Sequence, residues 1–170
     1  MGYYRKNQEN KNEINKKKGD LFEMFVQSLF PANFEIEQWT TDLYNKQKGI
    51  FVKSNMNPDF TIFDKKTKSK IAIECKFRSA FIPQPGDKTG ELAAIEWAKD
   101  EQIKRYKEFE KKEKIPVFII IGVSGTPEHP EHVFCIPLEE IKYPIVYESI
   151  FANYARLPNK PLFYKNGLLI

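Results

Sequence analysis

The sequence predicts an α/β fold with a mixed central sheet of about four to five strands flanked by helices. Two observations support this prediction. Apolar residues recur at helical spacing in two long segments, and they alternate or form short apolar runs in the segments between them. The predicted order is helix, strand, hairpin, long helix and two more strands, which is typical of α/β proteins.

The first predicted elements are a helix over 20–30 and a strand over 34–42. One helix face carries apolar residues at helical spacing, namely Phe22, Phe25, Val26 and Leu29. The strand alternates weakly, and the pattern over 43–57 is ambiguous despite a short apolar run over 50–52. Next, 59–64 and 70–78 are predicted to form a β-hairpin around a lysine-rich turn.

A loop rich in Pro and Gly over 79–90 separates the hairpin from a predicted helix over 92–112, which Pro116 terminates. The almost wholly apolar run 117–123 suits a central strand, and 133–137 is predicted to be another strand. Between them, His129 and His132 stand in a Pro-rich segment that we expect to be a surface loop, because too few ligands lie nearby for a metal site. Helical turns are expected near 139–141 and 147–155.

The chain of 170 residues fits one domain, predicted over 19–170 with a core over 19–138 and a C-terminal extension over 139–170. The formal charge of +4 is concentrated in residues 1–18, which hold six basic and two acidic residues. This basic N-terminal arm is predicted either to track phosphates or to be a solvated, flexible tail. No apolar run is long enough to cross a bilayer, so no membrane partner is expected. Cys75 and Cys135 are expected to be buried, reduced thiols, and a reducing cytoplasm is the expected compartment.

The hairpin is predicted to place two carboxylates side by side. A four-residue turn over 65–68 pairs Phe60 with Ile73 and puts Asp59 directly across from Glu74. Lys76 lies on the same face, one strand repeat beyond Glu74. Two opposed carboxylates are unfavourable unless a cation compensates them, and magnesium takes oxygen ligands of this kind. The alternative is a set of cross-strand salt bridges on a solvated face.

At these residues the sequence resembles the PD-(D/E)xK nuclease superfamily, which has the restriction-endonuclease-like fold. The resemblance rests on Pro58-Asp59, then fourteen residues, then Glu74-Cys75-Lys76 after an apolar strand. Gly19 to Glu23 also resembles the Gly-x-x-x-Glu pattern of Holliday-junction resolvases, which implies a metal-binding role for Glu23. An ordinary surface glutamate in a first helical turn is the alternative for that residue.

A further motif, Gln102-x-x-x-Tyr106, is similar to one that accompanies this site in the RecB-like branch. Gln102 would lie on the apolar face of the predicted helix over 92–112, where a buried amide needs a partner. The resemblance implies that Gln102 and Tyr106 position the nucleic acid or support the carboxylates. A half-exposed glutamine beside a packed tyrosine is the alternative.

The resemblance covers about 15–138 and implies a nuclease that uses Mg²⁺ or Mn²⁺. Its metal ligands would be Asp59, Glu74, the backbone carbonyl of Cys75 and Glu23, while Lys76 would orient water or stabilise the transition state. Candidate phosphate contacts are Arg78, Lys88, Lys99, Lys104 and Arg105. For the last three, an exposed helix face explains the positive charge equally well.

We therefore predict a DNA endonuclease of repair or defence type. RNA as an alternative substrate and a homodimer are both left open. A catalytically inactive nucleic-acid-binding module of the same fold is one alternative. The other is an unrelated α/β protein whose charged residues form salt bridges.

Overall fold

The computed structural model describes residues 2–39 and 57–170, with side chains over 11–38 and 57–170. The strands are β1 (Phe34–Trp39), β2 (Phe60–Asp64), β3 (Ser69–Arg78), β4 (Ile82–Pro83), β5 (Ala93–Glu96), β6 (Val117–Thr126), β7 (His129–Pro137), β8 (Ile145–Tyr147), β9 (Ala155–Arg156), β10 (Tyr164–Lys165) and β11 (Leu168–Leu169). The α-helices are α1 (Gly2–Ser28), α2 (Asp100–Glu113) and α3 (Glu148–Phe151). Short 3-10 helices cover Leu138–Glu140 and Ala152–Tyr154.

A mixed six-stranded sheet in the order β1-β2-β3-β6-β7-β9 forms the centre of the fold. Strands β3 and β6 run parallel, and the other neighbouring pairs are antiparallel. Strands β4, β5 and β8 form a smaller sheet, and β10 pairs with β11. The predicted fold class is therefore confirmed, with the two-residue β9 as a sixth strand at one edge.

Helices cover both faces of the central sheet, because alternate residues of β3 and β6 point to opposite sides. One face packs Ile73 and Ile120 against Phe22 and Val26 of α1. The other face packs Ala72, Ile119 and Ile121 of the sheet against Ile103 and Tyr106 of α2. Both faces of β3 are thus buried between helices, as a central strand requires.

Gly122 of β6 allows α1 to approach the sheet closely. A Cβ atom at this position would overlap the ring of Phe22, which is fully buried. The absence of a side chain here therefore fixes how near α1 lies to β3 and β6.

The hairpin register predicted from the sequence is confirmed. Phe60 pairs with Ile73, Ile62 with Ile71 and Asp64 with Ser69. The β2 ladder begins at Phe60, so Asp59 lies one residue before it rather than in a paired position.

The predicted helix over 92–112 was wrong at its start, since α2 begins at Asp100. Residues 93–96 are instead extended, because they pair with β4 on one side and with β8 on the other. The apolar helix face predicted around Gln102 therefore lacks its residues before Asp100.

Other boundaries also differ from the predictions. Helix α1 begins at Gly2 and includes the basic segment, whereas the sequence predicted a helix from residue 20. The segment with His129 and His132 belongs to β7, where these residues pair with Thr126 and Val123, so it is not a loop. The strand predicted beyond residue 39 and the ambiguous run over 50–52 lie outside the described residues.

Candidate active site

Buried carboxylates mark the end of the β2–β3 hairpin. Among the described residues, the acidic side chains that are less than a tenth exposed are Glu23, Asp64 and Glu74. Asp64 has a structural explanation, because it accepts hydrogen bonds from Lys66 N at 2.9 Å, Thr67 Oγ1 at 2.9 Å and Asn33 Nδ2 at 2.8 Å. Glu23 and Glu74 instead both lie near Asp59 and raise its pKa.

Asp59 is held against the strand that carries Glu74. Its Oδ2 atom accepts a hydrogen bond of 2.7 Å from the backbone N–H of Cys75. In an antiparallel ladder, the N–H and C=O of one residue point toward the same neighbour. The carbonyl of Cys75 therefore faces the same edge of β3 as Asp59.

Like charges and burial act together on Asp59. Burial raises the pKa of this carboxyl well above its usual 3.8, and the negative charges of Glu74 and Glu23 raise it further. Lys76 and the Cys75 N–H act in the opposite direction but do not cancel the effect. The groups that oppose ionisation of Asp59 thus outweigh those that favour it, and a bound cation would reverse this balance.

Lys76 and Tyr106 both donate to the same oxygen of Glu74. The Tyr106 hydroxyl lies 2.6 Å from Glu74 Oε1, and the Lys76 ammonium forms an ion pair with that atom. Burial alone would lower the pKa of Lys76, but Glu74 and Asp59 raise it above its usual 10.5. Burial and Glu74 also raise the pKa of Tyr106 above its usual 10. At neutral pH the site therefore presents a fixed ammonium and a neutral phenol.

Helix α1 brings Glu23 to this site from the opposite face of the sheet. Glu23 is 8% exposed and lines a pocket of about 500 Å³ together with Asp59, Cys75 and Lys76. The described part of β2 does not run beside residues 75–78, so α1 and β3 enclose this space directly. The surface-glutamate alternative for Glu23 does not fit this burial.

Gln102 is placed differently from its prediction. Its Oε1 atom accepts a hydrogen bond of 3.0 Å from the backbone N–H of Lys99, so it caps the first turn of α2. It lines a separate shallow pocket with Arg78 and Glu96. This side chain therefore stabilises the helix that carries Tyr106, and its contact with nucleic acid stays a prediction.

Arg78 ties β3 to the segment before α2. Its guanidinium donates to the carbonyls of Glu96 at 2.6 Å, Trp97 at 2.7 Å and Phe77 at 2.9 Å. Trp97 in turn stacks on Tyr106 with ring centroids 6.2 Å apart. Arg78 thus supports the segment that packs against Tyr106, and its predicted phosphate contact stays a prediction.

The remaining predicted phosphate contacts lie away from the carboxylates. Lys88 is exposed in the connection between β4 and β5, and Lys104 is exposed on α2. Arg105 is half-buried beside Lys104, and together with Lys99 they line a shallow groove on α2. The structure does not bring these residues to the pocket at Asp59.

The sequence predicted phosphate contacts for the basic arm over 1–18 only as one possibility, and it did not place any residue of this arm beside the carboxylates. The additional residues that line the pocket are Asn15, Lys16, Lys18, Gly19, Asp20, Phe77 and Ser79. A signal for Lys16, Gly19 and Asp20 was present, because positions three, four and seven residues before Glu23 share its side of a helix. A larger and mainly apolar pocket of about 720 Å³ lies around Tyr143 and Tyr147, and its lining includes none of the clustered carboxylates.

The chain is similar to the solved structure of Hjc of Archaeoglobus fulgidus, a Holliday junction resolvase from an archaeal hyperthermophile. The TM-score is 0.52 at 13% sequence identity, over 79% of this chain and 93% of Hjc. The chain has the restriction-endonuclease-like fold. The resemblance to PD-(D/E)xK nucleases is thereby confirmed at the level of the fold. No family model and no curated protein matches the sequence.

Among the helices in the described part of the chain, none is both long enough and apolar enough to cross a membrane.

Proposed function

We propose that this protein is a metal-dependent nuclease that hydrolyses phosphodiester bonds in DNA. The observation that carries the proposal is the convergence of Glu23 and Glu74, from opposite faces of the sheet, on Asp59 beside the half-buried Lys76. Charged side chains are rarely buried unless they are paired or bind a metal. Here the charges of Glu74 and Glu23 both raise the pKa of Asp59, and the Lys76 ammonium pairs with Glu74.

The donor set fits a magnesium or manganese ion. Magnesium is commonly held by one or two carboxylates together with water and substrate phosphate. Asp59 and Glu74 supply the carboxylates, and the Cys75 carbonyl faces the same edge. Within 11–38 and 57–170, no three His, Cys, Asp or Glu side chains lie together as a group that could hold a metal ion by themselves. We therefore assign the remaining metal positions to water and substrate phosphate, with Glu23 acting directly or through water.

Each protein group has a distinct role in the proposed reaction. A metal ion bound here would supply a nucleophile at neutral pH and charge compensation for the phosphate. Lys76, protonated at neutral pH, is fixed by Glu74 and placed to stabilise negative charge that develops in the transition state. Tyr106 holds Glu74 by donating to Oε1, which leaves Oε2 as the oxygen that we assign to the metal.

Neither cysteine is proposed as a nucleophile. Burial and the neighbouring carboxylates raise the pKa of Cys75 well above its usual 9.0, and burial raises the pKa of Cys135 to about 11. Both thiols are therefore protonated at neutral pH, and a thiolate is the reactive species.

DNA is the proposed substrate because Hjc, which shares the fold, is a Holliday junction resolvase. A junction has two strands to cut, and a homodimer would provide one site for each strand. We therefore include a homodimer in the proposal. We also propose a cytoplasmic location. An inactive nucleic-acid-binding module is the second candidate. The complete set of Asp59, Glu74 and Lys76 favours the enzyme.

Cleavage assays test this function. The protein is incubated with supercoiled plasmid, a four-way DNA junction, single-stranded DNA and RNA, in Mg²⁺, Mn²⁺ or EDTA. We expect DNA cleavage that EDTA abolishes. Substitution Lys76→Met should slow cleavage by about 10²–10³-fold, the usual effect of removing one transition-state donor.

Lys70→Met is the matched control, because Lys70 lies on the same strand but is half-exposed and paired with Glu37 at 2.7 Å. It should cleave like the wild type. Metal-independent binding without cleavage in any metal would favour the inactive module. Equal cleavage by the Lys76 and Lys70 variants would contradict the assigned site.

A further inference from the structure

Helix α1 contributes two different surfaces to the site pocket. Toward its C-terminal end it supplies acidic residues, Asp20 and Glu23. The preceding turn lines the same pocket with basic, amide and small residues, which we call the α1 wall: Asn15, Lys16, Lys18 and Gly19. The sign of the charge therefore changes along one helix, from cationic at the wall to anionic beside Asp59.

Gly19 is unexpected at this position. It lies inside α1, where glycine is among the least favourable residues. A Cβ atom added here would meet no described atom within 4 Å, so packing does not require glycine. Nor does Gly19 stand among the glycines with positive φ. Its small size instead leaves open space on the pocket wall.

Spacing along the helix relates the wall to the carboxylates. Lys16, Gly19 and Glu23 are separated by three and four residues, so they share one side of α1. With about 1.5 Å of rise per residue, Gly19 lies about 6 Å and Lys16 about 10 Å from Glu23 along the axis. One strand of duplex DNA advances about 3.4 Å per nucleotide. The wall itself, from residue 15 to residue 19, is about 6 Å long on the axis, which equals about two such steps.

Lys18 connects the wall to the catalytic strand. Its ammonium lies 3.4 Å from the hydroxyl of Ser79, the residue directly after β3. Lys18 is half-buried, whereas the neighbouring Lys17 is exposed and does not line the pocket. The two lysines therefore carry the same charge, but only Lys18 faces the pocket. Lys17 is the matched control for Lys18.

We propose that the α1 wall binds the sugar–phosphate backbone of the DNA strand that enters the site. Lys16 and Lys18 neutralise phosphates, Asn15 offers a hydrogen bond, and Gly19 gives the backbone room to approach the helix. This inference rests on the proposed nuclease function for the identity of the polyanion. Because it concerns the backbone, the wall contributes affinity without base specificity.

Binding measurements test the wall apart from catalysis. Fluorescence anisotropy of a labelled DNA duplex is recorded with EDTA from 50 to 200 mM salt. For Lys16→Gln and Lys18→Gln, the slope of log affinity against log salt should shrink by about 0.9 each. Lys17→Gln should leave the slope unchanged. Equal slopes for all three variants and the wild type would contradict the proposal that the α1 wall binds the DNA backbone.

Gly19→Ala separates binding from folding. We expect its Tm to equal or exceed that of the wild type, because alanine favours the helix and finds open space. Its DNA affinity should be roughly tenfold weaker, because the added methyl group overpacks the contact. A variant with unchanged DNA affinity would overturn the role of Gly19. A lower Tm would indicate instead that glycine serves the fold, which also overturns it.

The outcomes distinguish this inference from the function on which it rests. If the wild type binds DNA through the wall but cleaves nothing in Mg²⁺ or Mn²⁺, the nuclease proposal fails and the wall stands. If Mg²⁺-dependent cleavage by the Gly19, Lys16 and Lys18 variants keeps the wild-type KM and kcat, the wall fails and the nuclease proposal stands.

Discussion

Asp59→Asn is predicted to stabilise the metal-free protein. Burial and the charges of Glu74 and Glu23 raise the pKa of Asp59, so its ionised form opposes folding at neutral pH. Every tenfold increase in proton affinity on folding corresponds to about 1.4 kcal/mol. Asparagine removes the charge and keeps an oxygen for the Cys75 N–H. With EDTA at pH 7, the variant should therefore melt higher, by about 2–4 °C for each kcal/mol gained in a protein of this size.

The pH dependence gives the sign of this effect. Because the folded-state pKa of Asp59 is raised, protonation favours the folded protein, and that contribution is lost as pH rises through the raised pKa. The advantage of the variant should therefore shrink as pH is lowered from 7 toward 3.8, the usual value for the group. Thermal melts followed by circular dichroism at several pH values measure the difference.

Magnesium should reverse the order of the two proteins. At about 100 times its Kd, a ligand that binds the folded state adds about 2.7 kcal/mol of stability. The wild-type Tm should then rise by about 5–10 °C. Asp59→Asn should respond little, because it lacks one of the two carboxylates.

Asp87→Asn is a control of opposite sign. Hydrogen bonds from the backbone N–H groups of Leu92 and Thr89 hold the pKa of Asp87 at about 2, so its ionised form favours folding above the usual 3.8. This variant should melt lower than the wild type at pH 7 and keep the full magnesium response. A destabilised Asp59→Asn in EDTA, with no effect of magnesium on the wild type, would refute the reasoning about the site.

Three further predictions test the surroundings of the site. Tyr106→Phe should lower the unfolding free energy by about 1.5–3 kcal/mol, because Glu74 loses a buried hydrogen bond, and a urea titration measures it. Gly122→Ala should cost about 1–3 kcal/mol, since its methyl group overlaps Phe22; an unchanged Tm would contradict the close packing of α1. Cys135 should resist alkylation at pH 8 in the native protein and react in urea, because burial raises its pKa to about 11; fast labelling of the folded protein would show that the thiol is accessible.

The sequence predicted the hairpin well because local rules determine it. Alternation over β3 and the length of the lysine-rich turn fix the pairing of Phe60 with Ile73, and with it the neighbourhood of Asp59 and Glu74. These interactions are short in sequence, so no knowledge of the remaining fold is needed.

Pairing between distant segments explains the failures. Residues 93–96 are extended because they pair with β8, about fifty residues later, and helical periodicity alone does not reveal that contact. The same error moved Gln102 from a predicted buried helix face to the first turn of α2. Likewise, the three carbonyl contacts of Arg78 depend on how the β5–α2 connection folds back on β3.

The most direct test of the central claim is a crystal structure with Mn²⁺ and a short DNA duplex. We expect anomalous density for one metal ion in coordination contact with Asp59 and Glu74, with Lys76 directed at the adjacent phosphate. Metal density at another place would contradict this claim. So would a site without metal density at saturating Mn²⁺, in which Glu74 remains paired with Lys76 and Tyr106.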